Sequence, residues 1–94
     1  MTDQFRKDLR IVLEEVEAML ISKNQAYGDS ALNPVRILSK ADVIEQLKVR
    51  IDDKLSRLAR GNNAGEDPEE DLTGYFVLLK IARRRARTGE TYED

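Results

Sequence analysis

Three groups of side chains in this 94-residue chain have types and spacings that can do chemistry. The first is acidic. Asp52 and Asp53 stand in the stretch DVIEQLKVRIDDKLSRLAR, and Asp67, Glu70 and Asp71 stand in EDPEEDLTGYF. Carboxylates on two adjacent helices can hold Mg²⁺ or Mn²⁺, which bridges polyphosphate oxygens and activates water. The second group is cationic. Arg50, Lys54 and Arg57 lie at steps of three and four beside those acids, and positive charge next to carboxylates suits a bound metal–phosphate complex. The third is Lys23-Asn24-x-x-Tyr27-Gly28-Asp29-Ser30. It offers a cation, an amide and an aromatic face close to a turn, a set that can hold a nucleotide by stacking its base and donating to sugar or phosphate. Each group also has an ordinary reading. Acids crowd the first turns of helices because the helix dipole favours them. Lys54 and Arg57 can be intrahelical salt-bridge partners. Tyr27 can pack on the core beside a C-cap turn. Asp71 fits the ordinary reading least well, since it directly precedes Leu72 and is one turn before Tyr75. An acid at the edge of a buried stripe needs a partner.

The composition narrows the chemistry. There is no histidine and no cysteine. This removes the commonest general base, the commonest transition-metal ligand, zinc–thiolate sites and disulfides. Any metal is therefore expected to be a hard cation on oxygen ligands, and a carboxylate has to orient any attacking water. Charged residues make up 36% of the chain but the net charge is only −2. The signs offset one another, as on salt-bridged helices, and the basic surplus of a nucleic-acid binder is missing. Arg83, Arg84, Arg85 and Arg87 read as a charged helix end or an oligomer contact. No apolar run reaches the ~20 residues of a membrane span and no signal peptide opens the chain, so the cytoplasm is the expected location.

The elements that must position these groups are helices. Asp42 to Arg60 has apolar residues at Ile44, Leu47, Ile51, Leu55 and Leu58, with Ser39 as an N-cap and Gly61 as a C′ residue. Before it, Phe5, Leu9, Val12, Leu13, Val16, Met19 and Leu20 predict a long amphipathic helix, capped by Thr2, running to about Ser22 and ended by Gly28 at the latest. After it, Asp67-Pro68-Glu69-Glu70 is a helix start with Asp67 at the N-cap and Pro68 at N1. Leu72, Tyr75, Phe76, Leu79 and Ala82 form the stripe of a third helix. Gly74 inside it costs roughly 1 kcal/mol relative to alanine, which a close helix contact or a nearby ligand would justify. Residues 23–40 lack a period but contain Leu32, Val35, Ile37 and Leu38, and so predict an ordered loop folded onto the domain. Residues 61–67 are expected to be a flexible turn, and the tail is expected to fray from about residue 88. The expected fold is a single all-α domain of three main helices, a bundle completed by oligomerisation.

Taken together, KNQAYGDSALNP, VRIDDKLSRL and EDPEEDLTGYFVLL resemble a short phage and bacterial family related to the MazG-like all-α nucleoside triphosphate pyrophosphatases. The resemblance spans about residues 15–82. It implies a MazG-like helical bundle and an enzyme that splits a (deoxy)nucleoside triphosphate into monophosphate and pyrophosphate with Mg²⁺ or Mn²⁺. It further implies a homodimer or homotetramer with sites shared between chains. By position, Asp53, Asp67 and Asp71 would be the metal ligands, with Asp53 and Asp71 catalytic. Lys54 and Arg57 would neutralise the phosphates, and Lys23, Asn24 and Tyr27 would contact sugar or base. The wider pattern has a second acid three residues on. Here Ser56 stands three residues after Asp53, which leaves a ligand place that Glu14 or Glu17 can fill. Two other readings are carried beside this one. One is a module of the same fold that binds a nucleotide or a protein without hydrolysis. The other is a small nucleic-acid-associated helical dimer.

Overall fold

A computed structural model describes residues 2–34, 36–61, 65 and 67–89. It consists of three helices, α1 (Asp3–Tyr27), α2 (Val43–Arg60) and α3 (Pro68–Thr88), with no strand among the described residues. The all-α expectation holds, and each helix begins and ends on side-chain chemistry. Thr2, Asp42 and Asp67 are the N-caps, and their side-chain oxygens accept from the backbone N–H of Phe5, Glu45 and Glu70. Gly28, Gly61 and Gly89 close the three helices in the left-handed conformation, which glycine adopts at no steric cost.

One helix boundary differs from the expected one. Asp42, not Ser39, caps α2. Ser39 Oγ instead accepts from the Ala41 N–H, a local turn that competes with helix entry. Helix α1, by contrast, ends within its expected limit: it runs past Ser22 to Tyr27 and stops at Gly28, which turns the chain. Helix α3 is regular to Thr88 and capped by Gly89. The tail expectation beyond Gly89, and most of the expected 61–67 turn, lie outside the described residues.

The packed unit is the α2–α3 hairpin. Leu47 and Ile51 of α2 and Leu72 and Ala82 of α3 are buried. Leu32 comes in from the 28–42 connection and packs with Leu47 and Ala82, with Val43, Ile44, Tyr75 and Leu79 around them. The rest of that connection is less engaged than expected. Ile37 and Leu38 are 85% and 94% exposed, so of the described apolar residues predicted to fold the loop onto the domain only Leu32 does so. Leu55, Leu58 and Phe76, assigned to the apolar stripes of α2 and α3, are 45%, 40% and 48% exposed. Helix α1 buries no residue at all. Its C-terminal part approaches α3 at Gly74, where an added Cβ would lie 3.1 Å from Met19 Cε and 3.2 Å from Leu20 Cδ2. The glycine is the notch that lets α1 approach, as its place inside a helix suggested.

Candidate functional site: a cleft between α1 and the α2–α3 hairpin

The notch at Gly74 leaves a cleft of about 540 Å³ beside it. Its floor is apolar, with Met19 and Leu20 from α1 and Leu78 from α3. Lys23, Asn24 and Tyr27 enter from the last turns of α1, Arg50 and Lys54 from α2, and Asp67, Asp71 and Tyr75 from α3. Apolar floor, aromatic walls and a few convergent charges are the usual make-up of a small-molecule site.

Asp71 is at the centre of the charges. Lys23 Nζ lies 3.0 Å from Asp71 Oδ1 and Lys54 Nζ lies 3.1 Å from Asp71 Oδ2. One carboxylate thus ties α1 to α2 through α3. The Asp71 and Lys54 side chains are only 18% and 13% exposed, whereas Lys23 is half exposed. Burial alone would push the Asp71 carboxyl up. The hydrogen bonds and charges of Lys23 and Lys54 outweigh that and hold it below its ordinary value of 3.8. Asp71 is therefore ionised at neutral pH. This is the partner that an acid beside Leu72 required.

The loop at the mouth is built around Asp29, a non-glycine residue with φ +61° directly after Gly28. Its two carboxylate oxygens accept from the side-chain amides of Asn24 and Asn33. Local acceptance of this kind is what makes the left-handed region tolerable for aspartate. The turn leaves Tyr27 at the mouth with 70% of its surface exposed. An aromatic face left to solvent beside lysines is free to stack on a planar ligand.

The expected residues divide into two sets. Lys23, Asn24, Tyr27, Lys54, Asp67 and Asp71 all line the cleft. Asp53 and Arg57 do not. Arg57 Nε pairs with Asp53 Oδ2 at 3.2 Å, one turn along α2, on a surface more than 40% exposed. Asp71 meets Lys54 across the hairpin, so an ion pair one residue on stands where Asp53 was expected to join Asp71 on a metal. Asp67 is turned to capping, accepting from the Glu70 N–H at 3.2 Å. Glu14 and Glu17 line a separate groove on α1. Met19, Leu20 and Tyr75 had been read only as core stripe, and Leu78 had not been singled out. Their extra role comes from the notch at Gly74, and the glycine was its one visible sign.

Among the described residues no group of three or more acids is placed to hold a metal ion. The cleft offers Asp67 and Asp71, with Asp29 already bonded to two amides. Mg²⁺ is commonly held by one or two carboxylates with substrate phosphates and waters completing the shell. Asp67 caps α3 and lysines hold both Asp71 oxygens, so these two carboxylates can take Mg²⁺ only with a phosphate-bearing ligand that displaces the lysines and supplies the remaining oxygens. Among the described residues no helix is long and apolar enough to cross a membrane. Comparison of the chain with protein-family models, curated proteins and solved structures finds no match.

Proposed function

We propose that the cleft binds a (deoxy)nucleoside triphosphate and that the chain is a Mg²⁺- or Mn²⁺-dependent pyrophosphohydrolase, releasing the monophosphate and pyrophosphate. The observation that carries this reading is the Lys23–Asp71–Lys54 bridge in a cleft walled by Tyr27 and Tyr75. Two ammonium groups are held together there by a carboxylate that can be exchanged for phosphate oxygens. Phosphates entering the cleft take over Lys23 and Lys54, with Arg50 beside them. Tyr27 and Tyr75 supply faces for the base, and Asn24 supplies an amide for sugar or base.

The exchange frees Asp71 when its charge is needed. In this chain without histidine, Asp71 is the group to hold and orient the attacking water. The water oxygen attacks the α-phosphorus, the bond to the bridging oxygen of the β-phosphate breaks, and the water proton passes to Asp71. A divalent cation, held by Asp71 and Asp67 together with phosphate oxygens, would offset the charge developing on the pyrophosphate. Asp53 and Arg57 are left out, because their ion pair faces solvent away from the cleft. The reading includes a homo-oligomer, since Phe5, Leu9, Val12 and Leu13 of α1 stay exposed.

The test is pyrophosphate release from the eight common ribo- and deoxyribonucleoside triphosphates, with Mg²⁺, with Mn²⁺ and with EDTA. Metal-dependent release is expected, and a preference for one base names the substrate. A second reading is favoured by a specific observation: both Asp71 oxygens are already engaged by lysines, and no third acid joins it. In that reading the same cleft binds a nucleotide without cutting it. Saturable binding by calorimetry with no release from any triphosphate would select it.

A further inference from the structure

Helix α1 is 25 residues long, and it meets the rest of the described chain toward its C-terminal end, at Met19, Leu20 and Lys23. Phe5, Leu9, Val12 and Leu13 are 44–58% exposed on its free part. They fall on one face with Val16, at steps of three and four. The chain's radius of gyration is 15.2 Å, against about 12 Å for a compact domain of this length. The excess is what a projecting helix produces. A stripe of this kind on an otherwise charged helix needs an apolar partner.

The charges on α1 say what the partner is. Arg6, Lys7 and Arg10 lie in its first turns, and Glu14, Glu15 and Glu17 follow them in its middle. Asp3 and Asp8 temper the charge of residues 3–10 without reversing its sign. A groove of about 340 Å³ beside the stripe is lined by Arg6, Leu9, Arg10, Leu13, Glu14 and Glu17, so it runs from two arginines through two leucines to two glutamates. A surface ordered plus, apolar, minus is complementary to its own copy turned end over end. A two-fold axis near the middle of the stripe brings leucines to leucines and each basic end to the other copy's acidic end. Parallel pairing would bring like charges together.

We infer that the free face of α1 is the interface of a two-fold symmetric dimer, in which α1 packs antiparallel against α1 of a second copy. The interface deepens the homo-oligomer part of the proposed reading and not its nucleotide chemistry, and either can fail without the other.

Sedimentation equilibrium on the intact chain is expected to give a dimer. The double variant Arg6→Glu/Arg10→Glu and the double variant Glu14→Lys/Glu17→Lys are each expected to weaken dimerisation on the order of tenfold or more. An equimolar mixture of the two is expected to restore the dimer. Rescue on mixing cannot come from either variant merely failing to fold. Orientation is read by cysteine cross-linking, which the absence of native cysteine makes clean. Val12→Cys, near the axis, is expected to link to itself with a short bis-maleimide. Phe5→Cys, first confirmed dimeric by sedimentation, is expected not to, because its two copies would lie about 20 Å apart. A wild-type monomer at all concentrations, variants without effect on dimerisation, no rescue on mixing, or efficient linking through Phe5→Cys would each overturn the proposal.

Discussion

The α2–α3 hairpin and α1 differ in what holds them. The hairpin has an apolar core around Leu47, 1% exposed, with Ile51, Leu72 and Ala82. Helix α1 has caps at both ends and an apolar stripe but no buried residue. Capping and periodicity are local and form a helix wherever they occur, whereas burial depends on what the chain brings alongside. The cleft lies at the seam between the two regions. Its α1 wall is fixed by Met19 and Leu20 on Gly74 and by the Lys23–Asp71 ion pair. The chemistry of the site is therefore coupled to how firmly α1 is docked.

Truncations at the two ends of this contrast separate it most widely. Leu47→Ala is expected to cost about 2–5 kcal/mol in denaturant unfolding, the usual range for a fully buried leucine. Leu13→Ala, 58% exposed, is expected to change monomer stability by less than about 0.5 kcal/mol, and to act instead on self-association. Equal costs in the monomer would mean that α1 is packed as tightly as the hairpin. At the seam, Lys54→Met leaves Asp71 with half its partners and is expected to cost about 1–3 kcal/mol, together with the loss of triphosphate binding by calorimetry. Lys23→Met, the half-exposed member of the bridge, is expected to do less on both counts. Gly74→Val drives a branched side chain into Met19 and Leu20, and an overpacked contact of this kind costs about 1–3 kcal/mol. Its signature is weaker nucleotide binding with the hairpin still folded, read by amide exchange in α2 and α3. A normal cleft in that variant would show that α1 is not positioned through the notch. Asp67→Ala removes the α3 N-cap and is expected to cost about 1 kcal/mol.

The smallest expected effect is on pH. The Asp71 carboxyl is held below its ordinary value of 3.8, so its ionised form is favoured by the fold. That contribution is complete above the unfolded value and is lost as pH falls below it through the lowered folded value. Unfolding midpoints of wild type and Asp71→Asn should converge as pH drops below about 4. A difference that persists unchanged below that range would remove the bridge from the account.

The helices were legible in the sequence because their signals are local. Thr2, Asp67, Pro68, Gly28 and Gly61 punctuate the chain, and the stripes have the right period. The need of Asp71 for a partner was legible too, from its place beside Leu72. Neither Lys23 nor Lys54 could be named as that partner, since each pairing crosses between helices and depends on their relative rotation. Asp53 shows the limit from the other side. Its spacing matched a metal ligand, but a one-residue step on a helix is about 100° of rotation. It puts Lys54 in the cleft and leaves Asp53 to Arg57 on the surface. Ile37 and Leu38 misled for a related reason, because apolarity says what needs cover and not whether the chain itself supplies it.

The central claim is that Asp71, released by phosphates from its two lysines, does the chemistry in a cleft that binds nucleotide without it. Measuring triphosphate affinity and pyrophosphate release together in wild type and Asp71→Asn tests this most directly. The account predicts release reduced at least ~100-fold, as for loss of a general base, with affinity unchanged or tighter because Lys23 and Lys54 no longer share their charge. Release at the wild-type rate from a folded Asp71→Asn protein would contradict it.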